Sequence, residues 1–364
     1  MKKTNSERIK IGFIGLNPDS HWAAKAHLPA LKFLTEYFEI TGVANSTYES
    51  AKRSADALQI PIAFQNSSEL IQSPEIDLVV ITVKVPHHFN LVKEALEAGK
   101  HVYCEHPLGN GLKETIELAE LAASKNLVAV VGLQMTVSPE VIYLQQLIKD
   151  GFVGKVLSTT LIGSGGSWRD SSSADQYYMF DKSNGATMLS IPLGHTLSGL
   201  IKVLGEFDEL KAQMTSNYNT VNIVDTGDVK PKTTEDQIMI IGKLKSGAAI
   251  SVHYRGGVSK GTNLLWEING SEGDIQVTGM LGHGQFVPLS IRGANGNEKE
   301  LRILTPLPEV YEGFPDDVMS RNVANIYSRL AADIRSNTRT APTFTDAVMI
   351  QELLNSIENA SKQE

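Results

Sequence analysis

Ile9-Lys10-Ile11-Gly12-Phe13-Ile14-Gly15-Leu16-Asn17-Pro18-Asp19-Ser20-His21-Trp22 is the stretch on which the fold turns. Its apolar run predicts a buried strand over residues 9–14, closed by Gly15 and a polar turn, with a helical pattern opening near Trp22. A pyrophosphate needs bare backbone close to a strand end, and the positive end of a helix dipole favours an anion there. A strict glycine-rich phosphate loop would carry glycine where Asn17 and Ser20 stand. Asn tolerates left-handed backbone, and Ser or Asp caps a helix, so the turn can still form. An ordinary strand–turn–helix junction produces the same string, so the surrounding pattern has to decide.

That pattern alternates. Strands are expected at 9–14, 38–44, 76–82, 101–104 and 127–132, with helices at 22–35, 48–58, 67–73, 88–98 and 112–125. Ile76-Asp77-Leu78-Val79-Val80-Ile81-Thr82 is nearly continuous apolar, as a parallel strand covered on both faces requires. Together these predict an α/β chain opening with a doubly wound parallel sheet, a Rossmann arrangement. Past Gln134 the texture changes. A capped helix at 138–150 is followed by alternating strands at 156–163, 209–217, 236–243, 248–254, 264–269, 273–278 and 286–291. This predicts a second α/β domain built on a large, mostly antiparallel open sheet, with helices at 196–203, 322–336 and 345–361. The expected division is a dinucleotide-binding domain over 1–134 and a substrate-binding domain over 135–364.

The bulk properties exclude some classes. With 364 residues, 41% hydrophobic and 20% charged, the chain has the make-up of a folded globular protein. A net charge of -8 without a Lys/Arg cluster argues against nucleic acid as partner. The single cysteine, Cys104, allows no intrachain disulfide and suits a reducing compartment. No apolar run matches a secretory leader or a membrane span, so a soluble, cytoplasmic protein without membrane attachment is expected.

Candidate binding residues cluster where strands end. Gly15, Leu16, Asn17, Ser20 and Trp22 form the first loop. The second strand ends in Asn45, Ser46 and Thr47, where NAD-selective folds place a carboxylate on the adenosine ribose. Its absence removes repulsion against a 2′-phosphate and favours NADP over NAD. Lys52 and Arg53 follow, either as helpers or as a solvated helix face. Thr82, Val83, Val85 and His88 form the loop after the next long strand. His87 and His88 are adjacent and lack ligand spacing, so no metal is expected. Glu105 and His106 follow the fifth strand and suit a nicotinamide site, with a buried ion pair as the alternative, and Gln134 closes the sixth. Cys104 reads as a small apolar strand residue. Further on, His195 opens an apolar helix, where the dipole would favour its neutral form. Trp168, Arg169, Tyr177 and Tyr178 lie in a polar loop that suits either a sugar-sized pocket or an interface.

Glu97-Ala98-Gly99-Lys100-His101-Val102-Tyr103-Cys104-Glu105-His106-Pro107-Leu108 resembles the E-A-G-K-H-V-x-x-E-K-P-L segment of the glucose–fructose oxidoreductase and inositol dehydrogenase family. Gly270-Ser271-Glu272-Gly273-Asp274, the final helix and the place of His88 also resemble that family. The resemblance implies hydride transfer between a nicotinamide cofactor and a sugar or polyol, and a homodimer or homotetramer through the second domain's sheet. The departures lie at the chemistry. The family's lysine is His106 here, its aspartate four residues before the retained His195 is Ile191, and Ser198 and Thr136 replace a further aspartate and an arginine. These changes resemble the branch containing the yeast galactose-pathway repressor. Two functions follow. In an oxidoreductase, His106 serves as acid/base, His195 as substrate-orienting partner or second base, Tyr178 as reserve acid/base, and Trp168 lines the substrate. In a dinucleotide-binding regulator there is no turnover.

Overall fold

The computed structural model describes residues 7–19 and 21–362, so Ser20 of the first loop lies outside it. The chain forms two compact units. The first takes in residues up to Val137 together with Tyr311–Met349, and the second takes in Ser138–Val310 and Ile350–Glu364. The linear division at residue 134 therefore has to be redrawn, because a late segment returns to the first unit.

In the first unit β1 (Ile9–Ile14), β2 (Phe38–Ala44), β3 (Ile62–Ala63), β4 (Leu78–Ile81), β5 (His101–Glu105) and β6 (Ala129–Gly132) form one parallel sheet in the order β3-β2-β1-β4-β5-β6. Every residue of β4 is buried, which its apolar run demanded. The helix Tyr48–Leu58 starts where Thr47 accepts a hydrogen bond from the Ser50 N–H, a side-chain cap. The first helix departs from the expected regular one: a π-helical turn over Ala23–His27 runs into Leu28–Lys32. The late segment brings the helix Val318–Ser336, whose Val323, Ile326, Tyr327 and Leu330 join the core formed by Ile9, Ile11, Phe13, Phe38 and Tyr103.

In the second unit β7 (Val156–Ser164), β9 (Phe207–Thr215), β12 (Gln237–Leu244), β13 (Ala249–Arg255), β14 (Leu264–Gly270), β15 (Gly273–Gly279), β16 (Ser290–Asn295) and β17 (Arg302–Leu304) form a sheet ordered β17-β16-β15-β14-β7-β13-β12-β9. Only β7 and β13 pair parallel. A three-stranded sheet joins β8 (Ser171–Ser172), β10 (Thr220–Ile223) and β11 (Val229–Pro231). Burial alternates along β13: Ile250, Val252 and Tyr254 face the core, and Ser251, His253 and Arg255 face the other side. The strand expected at 286–291 instead begins at Ser290. Pro288 has no N–H for a ladder, and Phe286 turns back to stack on His283, ring centroids 4.9 Å apart. Among the described residues no helix is long and apolar enough to cross a membrane.

Candidate functional site

The exit of β1 is built by contacts from its neighbours. Gly15 has φ +96°, and a Cβ there would lie 2.6 Å from Val83 Cγ1. Glycine is required both by the backbone and by this close approach. Its N–H donates to the Ala44 carbonyl at 3.0 Å, and Thr82 Oγ1 donates to its carbonyl at 3.1 Å. The order of the sheet reverses between β1 and β4, and such sheets bind ligands in the crevice beyond the strand ends at that reversal. Gly15, Thr82 and Val83 stand there. Asn17 accepts from the Asp19 N–H at 3.0 Å and so fixes the loop locally.

Some predicted contacts take other roles. The Leu16 side chain is fully buried, and its carbonyl accepts from Asn45 Nδ2 at 2.9 Å and Ser54 Oγ at 2.8 Å. Asn45 therefore uses its amide to tie β2 to the loop, and Ser46 and Thr47 are the exposed polar groups that follow it. Trp22 packs against the core with its ring 6.4 Å from that of His27. Val85 is buried.

At the exit of β5 the chain passes Glu105 and His106 and turns through a cis His106–Pro107 bond. His88, itself buried, links the two loops: Nδ1 lies 2.7 Å from the Pro107 carbonyl oxygen and Nε2 lies 2.9 Å from that of Val83. Burial pushes the His88 pKa down, against the two carbonyls that favour its charged form. A neutral imidazole has one N–H, so it donates to one carbonyl at a time. Glu105 is held from both sides. Gln134 Nε2 donates to one oxygen at 2.8 Å, and His27 Nε2 stands 2.9 Å from the other. The other ring nitrogen of His27 lies 2.8 Å from the Tyr327 hydroxyl. Gly132 leaves room for the carboxylate, since a Cβ there would sit 2.5 Å from Glu105 Oε2. Burial raises the Tyr103 and Tyr327 phenols well above the usual range, so both remain protonated. The Cys104 thiol is likewise raised by burial, as an apolar strand residue should be.

The structure thus brings together Gly15, Thr82, Val83, His88, Glu105, His106 and Gln134 in the first unit. It adds His27 and Tyr327, which the sequence reading missed. A lone histidine on an apolar helix carries no signal of its partner, and Tyr327 lies 300 positions away.

Trp168, Tyr178 and His195 belong to the second unit. Trp168 does not line a pocket with its indole. The ring is 2% exposed, and its N–H is shared between the carbonyls of Met179 at 3.0 Å and Ala186 at 3.2 Å. Tyr178 is half-buried, and burial together with Asp175 raises its phenol, which disfavours it as a base. His195 is buried, but not at a helix N-terminus: a π-helical turn over Leu189–Leu193 precedes Gly194–Leu204 without a break. The dipole argument for its neutral form therefore lapses.

Comparison with known proteins gives the following. Residues 9–133 match the model of the oxidoreductase family with NAD-binding Rossmann fold, and residues 139–279 match that of the Gal80p C-terminal domain. The dehydrogenase aclE of Aspergillus oryzae is 32% identical over 285 residues, covering 75% of this chain and 78% of its own. The galactose/lactose metabolism regulatory protein of Kluyveromyces lactis is 30% identical over 306 residues, covering 79% of this chain and 66%, just under two thirds, of its own. The crystal structure of Gal80p from that yeast superposes with a TM-score of 0.86 at 27% identity, covering 98% of this chain and 90% of that one. Levoglucosan dehydrogenase in complex with NADH and levoglucosan shares the fold, with a TM-score of 0.82 at 20% identity over 98% of each chain.

Proposed function

The chain belongs to the oxidoreductase family with NAD-binding Rossmann fold, and from that premise we propose that it moves hydride between a nicotinamide dinucleotide, NADP or NAD, and a sugar, polyol or sugar derivative. The observation that carries this reading is the braced exit of β5, where the buried His106 follows a doubly held Glu105 in the chain and precedes Pro107, whose carbonyl is held by His88.

The cofactor, when bound, supplies the hydride chemistry. The protein supplies position and one proton. The turn at Gly15 and Asn17 offers backbone to a pyrophosphate. The end of β2, with Ser46 exposed and no carboxylate from Ala44 to Thr47, suits a 2′-phosphate. The loop from Thr82 to Val85 walls the crevice. His106 takes or returns the hydroxyl proton, the general acid/base role an imidazole is suited to. We assign His195 the substrate-orienting role, and Tyr178 a donor's role at most. The second unit is assigned substrate binding and self-association into a dimer or tetramer. Ile241, on the sheet face opposite the buried Ile238 and Ile240, is 59% exposed, and light scattering measures the state directly.

Replacing a positioned acid/base lowers the rate by about 10²–10⁴. His106→Ala should therefore cut kcat by at least about a hundredfold while cofactor affinity stays within about threefold. Unchanged turnover removes His106 from the mechanism. The substrate follows from a screen of hexoses, inositols and sugar acids at the reduced-nicotinamide absorbance band.

A second reading, a dinucleotide-binding regulator without turnover, is favoured by the match of residues 139–279 to the Gal80p C-terminal domain and by the histidine at 106. The same screen separates the two, since a regulator binds the dinucleotide and reduces none of it.

A further inference from the structure

A cavity of about 330 Å³ lies within the second unit, where β7 and β13 end and β12 begins. Two guanidinium groups, Arg169 and Arg255, line it. Arg255 donates through Nη2 to the Thr262 carbonyl at 2.7 Å, while its Nε is buried and has no acceptor among the described residues. The Ser164 hydroxyl, also on the wall, is buried and equally without a partner. Buried donors left unsatisfied are costly, so two in one cavity point to something that accepts from them.

Arg169 is held ready. Its stem lies across Gly257, where a Cβ would come within 2.7 Å of its Cδ. Its Nε is 3.4 Å from the Tyr218 hydroxyl, and its guanidinium sits 5.8 Å from the centroid of that ring. The left-handed backbone of the preceding residue, Trp168 at φ +61°, is pinned by the buried indole and aims the arginine. Arg169 also faces Asp170 at 3.7 Å across an exposed surface. One carboxylate, Asp236, lines the cavity, but it is matched by Lys232 at 3.1 Å and by the N–H groups of Asn217 at 2.9 Å and Tyr218 at 3.2 Å. The surplus charge is positive.

We propose that this cavity binds the oxyanion group, carboxylate or phosphate, of a small hydroxylated molecule. Arg255 Nε and Ser164 Oγ grip the anion, Arg169 closes over it, and Asn217, Gln237 and Ser259 meet the hydroxyls. Charge-assisted bonds to arginine suit carboxylate and phosphate alike. The volume is at the small end for ligand sites, about 300–1,000 Å³, and fits one sugar acid rather than a nucleotide. The site needs only the second unit and stands whether or not the protein turns over.

Calorimetry on the full chain tests it with three probes: D-gluconate, inorganic phosphate and neutral D-glucose. Gluconate, phosphate or both should bind at least about tenfold more tightly than glucose and weaken with added salt. Gluconate alone identifies a carboxylate ligand, and phosphate alone a phosphate ester. Arg255→Gln should weaken the bound anion by about tenfold or more, and the exposed Arg169→Gln by about threefold or more. The thermal unfolding midpoint of both variants should stay near that of the parent. Binding of neither anion, glucose binding as well as gluconate, or unaltered anion binding in a folded Arg255→Gln variant overturns the proposal.

Discussion

A single methyl group separates Gly15 from every alternative. Alanine there would be strained by φ +96° and would also meet Val83 at 2.6 Å. Gly15→Ala should lose about 1–3 kcal/mol in chemical denaturation and its heat of dinucleotide binding in calorimetry. Adding Val83→Ala should recover part of the stability, because it relieves the contact and leaves the backbone strain. His101 carries a different kind of residue-level prediction. Its Nδ1 accepts from the Val128 N–H at 3.1 Å, and burial lowers its pKa from 6.5 to about 4, with Asp77 opposing and Arg339 reinforcing. The folded state therefore binds this proton more weakly than the unfolded chain does. The stabilisation is complete above about pH 6.5 and is lost as pH falls toward about 4, with an upper limit of about 3 kcal/mol. His101→Gln should flatten the fall in urea midpoint between pH 7 and pH 4. It should not abolish it, because burial also lowers His88 and His283. A slope unchanged by the substitution would remove His101 from the acid response.

At the scale of elements, the alternation of strand and helix was legible because burial on both faces writes continuous apolar runs such as β4 into the sequence. That Glu105 and His106 close the fifth strand was legible too, but a carboxylate there reads equally as a site or as a buried pair, and the partner it takes, His27, left no mark in the sequence. What else holds that exit was not legible either. His88 earned its place from motif position, but its bridge between the Val83 and Pro107 carbonyls joins loops that periodicity treats as unrelated. The π-helical turn over Ala23–His27 is equally invisible, because no residue type marks an added member of a helical turn. Trp168 misled for the opposite reason: an aromatic with a polar tip looks the same in a pocket wall and in a buried peg. The bridge can be tested as an element. His88→Ala removes the one N–H donor that stands between the Val83 and Pro107 carbonyls and leaves a cavity between the loops. It should cost about 2–4 kcal/mol in denaturant and weaken dinucleotide binding, although His88 is buried beneath the crevice and need not touch the ligand. Loss of stability with full dinucleotide affinity would make the bridge a fold support only.

For the whole molecule, both C-terminal helices are visible in the apolar spacing, yet their allegiance is not. Periodicity reports that a face is buried and says nothing of what buries it. The helix Val318–Ser336 belongs to the first unit and fills its core with Val323, Ile326, Tyr327 and Leu330. Burying each is worth about 1.5–3 kcal/mol. Together they approach the whole stability of a typical domain, about 5–15 kcal/mol. The same segment supplies the Pro342 carbonyl that accepts from the Val131 N–H at 2.9 Å, and the Tyr327 hydroxyl beneath His27. A fragment of residues 1–137 therefore carries the whole parallel sheet and still lacks the floor beneath it. Expressed alone, it should show helical circular dichroism without a cooperative thermal transition and give no heat with NAD or NADP. Co-expression with residues 311–349 should restore both. If the fragment melts cooperatively and binds dinucleotide unaided, the late helix is an accessory, and the site at the exits of β1 and β5 stands on the first 137 residues alone.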